Sequence, residues 1–157
     1  MSNISMTTSK RNAIVTVMLI SAFVSMLNQT ILNTALPAII KGLNITETTA
    51  QWLITGFMLV NGIMIPLTAF LMDKYSTRHL YIFSMAIFLI GSIVAAFSPT
   101  FSILMISRII QAIGAGILLP LMQFTVFMLF PAEQRGFAMG LAGVVVQSAP
   151  AIGPTLT

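Results

Sequence analysis

The sequence predicts an all-α integral membrane protein of about five transmembrane helices, with its N-terminus in the cytoplasm. Three observations carry this. Only 6% of the 157 residues are charged, where soluble domains carry about 25%. Hydrophobic residues make up 57% and the mean hydropathy is +1.01, which leaves too few polar groups to cover a water-soluble domain. Five stretches are apolar over the roughly 20 residues needed to cross about 30 Å of hydrocarbon. A soluble enzyme, a nucleic-acid module and a disordered tail are thereby excluded.

Other totals narrow the chemistry. The chain has no Cys, so it builds neither a disulfide framework nor a thiolate metal site. Its lone His79 cannot form a histidine-ligated zinc centre. The pI of about 10.2 does not point to nucleic acid, because the Lys and Arg never gather into one basic patch. They flank apolar spans instead, where they set orientation.

A short cytoplasmic tail, 1–12, holds Lys10 and Arg11. The first span covers 13–36 and is followed by Pro37. Asn44-Ile-Thr-Glu47 offers an N-cap Asn with Glu at the capping-box position before the second span, 49–72. The third span is 80–97, and Ser98-Pro99-Thr100 separates it from the fourth, 101–130. Pro131 to Gly136 leads into the fifth, 136–157, which is still running at the last residue. Lys10, Arg11, Lys74, Arg78 and Arg135 fall on one side of the spans and Lys41 on the other, which puts the N-terminus in the cytoplasm. The first span is too long for a signal peptide, and Asn28-Gln-Thr-Ile-Leu-Asn33 is no small-residue cleavage site.

Polar groups at membrane depth are costly and therefore informative. Ser21, Ser25 and Asn28 share one face of the first span, with Gln29 and Asn33 on a line beside it. Two readings stand: interhelical hydrogen bonding, or the lining of a ligand-accepting cavity. Arg108 is the sharper signal. It lies seven residues into the fourth span, roughly 10 Å below the helix start, and inserting it costs about 2.5–3.5 kcal/mol. Such a residue should face the bundle interior with a partner, and Gln111 at i+3 shares its face. No carboxylate lies inside a span, since Glu47, Asp73 and Glu133 all sit at span ends. Ala112 and Gly116, and Gly136 with Gly140, have the spacing of close helix contacts. Pro150, Gly153 and Pro154 favour a kink in the fifth span. No Walker loop, HExxH, GxSxG or Ser/His/Asp set occurs, so no enzyme is expected.

Four segments together resemble the N-terminal part of the drug:proton antiporter-2 branch of the major facilitator superfamily, the fourteen-span multidrug exporters. Leu27-Asn-Gln-Thr-Ile-Leu-Asn-Thr-Ala-Leu-Pro37 is similar to that family's L-D-x-T-I-V-N-x-A-L-P. Ala69 to His79 is similar to G-x-x-x-D-R-x-G-R-R/K, and Arg108-Ile-Ile-Gln-Ala-Ile-Gly-Ala-Gly116 to R-x-x-Q-G-x-G-x-G. Ala149-Pro-Ala-Ile-Gly-Pro154 is similar to the antiporter signature around G-P-x-x-G. Asn28 stands where the family often has an Asp, and Ala69, Ser76 and Ala112 replace motif glycines.

The resemblance implies a partial N-terminal transmembrane bundle over 13–157 of a multidrug efflux antiporter in the bacterial plasma membrane. It implies hydrophobic or cationic small-molecule substrates, protons and the lipid bilayer as partners, and the proton gradient in place of any cofactor. Asp73, Lys74 and Arg78 would latch a cytoplasmic gate, Arg108 would serve proton relay or organise a carboxylate, and Pro150, Gly153 and Pro154 would form a hinge. Asn28, Gln29, Asn33 and Gln111 would line the cavity. Asn28 cannot titrate, so coupling through that position is not expected. A facilitator needs two six-span halves, so the chain reads as a fragment lacking the remainder of the transporter and without transport of its own. A facilitator of the same fold for another substrate is the further alternative.

Overall fold

The computed structural model describes residues 7–155 and contains five α-helices among them: α1 (Thr8–Leu43), α2 (Glu47–Lys74), α3 (Thr77–Ala96), α4 (Phe101–Leu129) and α5 (Ala132–Ile152). A short 3-10 turn, Gly153–Thr155, follows. Residues 1–6 of the expected tail and 156–157 of the expected fifth span lie outside the described residues. The all-helical, membrane-type fold is the one the composition predicts. Helices α1 to α4 are each long and apolar enough to cross a membrane. Helix α5 does not reach that measure, because it opens on Glu133-Gln-Arg135 and carries Gln147 and Pro150.

Several helix ends differ from expectation. Helix α1 begins before Lys10 and Arg11 and continues through Pro37 to Leu43, so these cations and Lys41 are helical. Pro37 costs one backbone hydrogen bond but, inside a long apolar helix, does not end it. Asn44 does not cap α2. It closes α1 in the left-handed conformation, φ 50° and ψ 47°, with its N–H donating to the Ile40 carbonyl, a conformation Asn tolerates better than most residues. Thr46 caps α2 instead, its hydroxyl accepting from the Thr49 N–H at 3.2 Å. Ser76 and Thr100 do the same for α3 and α4. A polar side chain thus satisfies one orphan donor at each of three of the four helix starts that follow a turn.

Helix α4 is the axis. Fourteen of its 29 residues are buried, against five of 36 in α1 and six of 28 in α2. It packs on α1, α2, α3 and α5. Glycines permit the closest approaches: a Cβ on Gly114 would fall 2.6 Å from the Ser84 carbonyl of α3, and one on Gly116 would fall 2.5 Å from Met64 Cβ of α2. Pro120 leaves the Gly116 carbonyl without its helical donor. The buried Thr68 of α2 replaces that donor in part: its one hydroxyl proton is shared between the Met64 carbonyl at 2.7 Å and the Gly116 carbonyl at 3.2 Å. The opposite faces of α1 to α4 expose Val17, Ile20, Leu59, Ile63, Ile90 and Phe127, as lipid-facing positions require.

The expected Gly136–Gly140 contact does not form among the described residues, since none of them lies within 4 Å of a Cβ at either position. Helix α5 docks on α1 through another stripe of its surface, the buried Ala138, Ala142, Val146 and Ala149. Small alanines give the same close approach there.

Candidate functional site

The site is built on the upper third of α4. Arg108, only 1% exposed, lies two turns below the N-terminus of that helix. Its Nη1 donates to Gln111 Oε1 at 2.8 Å and to Asn28 Oδ1 of α1 at 3.2 Å. Gln111 passes the chain on, its Nε2 donating to Ser92 Oγ of α3 at 3.0 Å. Ser92 in turn donates to the Phe88 carbonyl at 2.9 Å. The guanidinium plane rests on the Phe57 ring of α2, 4.4 Å from its centroid. Residues from α1, α2, α3 and α4 therefore converge on one cation.

Local reasons place each group. Gln111 lies one helical turn after Arg108, so both project from the same face of α4. Gly91 lets α3 approach there: a Cβ on it would lie 2.7 Å from Gln111 Cγ and 2.9 Å from the Gln111 backbone nitrogen. That contact brings Ser92 within reach. On α1, Ser21 and Ser25 are buried along the face that ends at Asn28, and the Ser21 hydroxyl lies 2.5 Å from Tyr81 Oη of α3.

A cavity of about 590 Å³ opens beside this network, with Asn28, Ser92 and Gln111 in its wall together with Leu32, Ile39 and Leu104. Gln29 does not line it; that residue faces a smaller space of about 190 Å³ with Phe57 and Asn61 of α2. Asn33 is exposed and lines neither. The other expected site residues lie elsewhere. Asp73 and Lys74 end α2, and Arg78 sits in the first turn of α3; all three are exposed. Lys74 lies over the Phe70 ring, 4.5 Å from its centroid. Pro150 is inside α5, Pro154 is in the 3-10 turn, and Gly153 packs on α1, where an added Cβ would fall 2.5 Å from Thr30 Cγ2.

Two contributors escaped the sequence reading. Ser92 is a hydroxyl at membrane depth, the kind of residue that merits notice, and its place in a span was visible. Phe57 gave no signal, being one of eleven Phe in an apolar chain.

Comparison with known proteins gives a consistent picture. The family described as Major Facilitator Superfamily matches residues 18–157. The uncharacterized MFS-type transporter YcnB of Bacillus subtilis (strain 168) is 54% identical over 147 residues, 94% of this chain and 31% of YcnB. The lincomycin resistance protein LmrB of the same organism is 45% identical, over 89% of this chain and 29% of LmrB. The probable multidrug resistance protein EmrY of Escherichia coli (strain K12) is 34% identical, over 87% of this chain and 27% of EmrY. The chain spans less than a third of the length of these relatives.

Proposed function

This chain belongs to the major facilitator superfamily, and from that premise we propose that it forms part of the N-terminal bundle of a proton-driven exporter of hydrophobic small molecules. It is a multi-pass bacterial membrane protein with small-molecule transport as its general role. The observation that carries the finer reading is Arg108. A fully buried cation, held by amides from α1 and α4 and adjoining a cavity of mixed polarity, is expensive to keep. A helix bundle serving only as an anchor has no use for it. The substrate class is supported by the names of LmrB and EmrY, which describe drug resistance in those proteins.

In this reading the N-terminus is cytoplasmic, because Lys10, Arg11, Lys74, Arg78 and Arg135 outnumber Lys41 across the spans. Asp73, Lys74 and Arg78 then form the cytoplasmic latch, and Pro150, Gly153 and Pro154 the hinge of the fifth span. Asn28 holds Arg108 without titrating, so the proton-carrying carboxylate belongs to a part of the transporter outside this bundle. The test is efflux of a hydrophobic fluorescent dye from vesicles containing the full-length protein under an imposed proton gradient. Efflux that stops on adding a protonophore is the expected result. Efflux indifferent to the protonophore, or none at all, overturns the proposal.

A further inference from the structure

We propose that Ser92 of α3 is a positioning residue for Arg108 and acts through Gln111: it fixes which end of the Gln111 amide faces the guanidinium. The use made of that orientation rests on the transport reading above; the orientation itself rests on the hydrogen bonds. An amide has two ends of nearly equal size and opposite polarity, an accepting oxygen and a donating NH2, whereas a guanidinium only donates. Turned end for end, Gln111 would set N–H groups against N–H groups. Its 2.8 Å contact with Arg108 Nη1 would change from a charge-assisted hydrogen bond into a repulsion. Packing cannot choose between the two poses, because their shapes match.

Ser92 can choose. Its hydroxyl proton goes to the Phe88 carbonyl of its own helix at 2.9 Å, which leaves the oxygen to accept from Gln111 Nε2 at 3.0 Å. The observed pose makes both Gln111 bonds. The turned pose loses the bond to Arg108, and keeps one to Ser92 only if that hydroxyl gives up the Phe88 carbonyl. All the donors therefore run one way, from Arg108 to Gln111, from Gln111 to Ser92 and from Ser92 to the backbone of α3. Each link turns its oxygen toward the cation and its hydrogen away, an order in which neighbouring bonds strengthen one another. Gly91 holds the register: a Cβ there would lie 2.9 Å from the Gln111 backbone nitrogen and 3.0 Å from the Ser107 carbonyl, so only glycine brings the next residue, Ser92, this close to α4. Helix α3 thereby sets the pose of a cation on α4 through a neutral hydroxyl.

The test is a double-mutant cycle in the full-length protein, read by dye efflux under an imposed proton gradient and by thermal unfolding in detergent. Ser92→Ala removes the acceptor and is expected to slow efflux at saturating dye about tenfold, with the half-saturating dye concentration unchanged. Ser92→Thr keeps the hydroxyl and should restore the rate. Gln111→Met removes the amide at similar size, and adding Ser92→Ala to it should cost nothing further, because the serine then has nothing to orient. Threonine as damaging as alanine, losses that multiply in the double variant, or a raised half-saturating concentration at unchanged rate each overturn the proposal. Wild-type protein without gradient-driven efflux would instead defeat the transport reading. The midpoints then decide on Ser92: a loss of about 2 °C for Ser92→Ala that vanishes in the Gln111→Met background supports the orienting role, and additive losses overturn it.

Discussion

Helices α4 and α5 carry similar runs of small residues four apart and use them in different ways. On α4, Ala112 and Gly116 are buried, and Gly114 between them meets the α3 backbone. On α5, Gly136, Gly140 and Gly143 meet nothing within 4 Å, and the helix docks on α1 through alanines instead. Small-residue spacing therefore says that a backbone can be approached closely. It does not say that a partner takes up the offer. The partner comes from position in the bundle: α4 packs against all four other helices, whereas α5 packs mainly against α1.

The comparison breaks most severely at Gly114. Its hypothetical Cβ would sit 2.6 Å from the Ser84 carbonyl and 2.9 Å from the Phe88 nitrogen. Both are helix backbone, which cannot swing aside as a side-chain tip does. Gly114→Ala is expected to force α3 and α4 apart at a cost of about 3 kcal/mol, seen as a lowered thermal midpoint and poor yield from the membrane. The separation would also pull Ser92 from Gln111. An unchanged midpoint would mean that the α3–α4 contact is looser than the geometry requires.

A smaller effect is expected at Thr68, whose hydroxyl covers the Gly116 carbonyl that Pro120 leaves unmatched. Thr68→Val keeps the shape and removes the donor, and should cost about 1–2 kcal/mol, the penalty for an unsatisfied buried acceptor. Restoring the helical donor with Pro120→Ala should make Thr68→Val nearly harmless. A double-mutant cycle on thermal unfolding checks this: additive losses would show that the two residues do not share the carbonyl.

How much was legible follows the same divide. The all-helical membrane fold and the inward face of Arg108 could be read, because hydrophobicity and the cost of a buried charge are properties of single helices. Gln111 was readable as its partner because i+3 is local geometry. Asn28 was marked as an inward-facing amide, but not as the acceptor for a guanidinium 80 residues away. Phe57 and Ser92 depend on which faces of α2 and α3 meet α4, and no local period encodes that choice. Asn44 and Pro37 misled for a different reason. Their usual roles as helix starter and helix stopper gave way to a long apolar segment that ran on to a left-handed Asn.

The mildest test bears on α5. Gly140 is exposed with open space around it, so alanine there meets no neighbour among the described residues and removes the entropic penalty of glycine in a helix. Gly140→Ala should therefore stabilise by about 0.5–1 kcal/mol, a change opposite in sign to that at Gly114. The measurement is the thermal midpoint of the full-length protein. A gain confirms that spacing alone made no contact on this face. A loss would mean that another segment of the transporter lies against the Gly136–Gly140 stripe, leaving α5 with two packing faces: alanines toward α1 and glycines toward that segment.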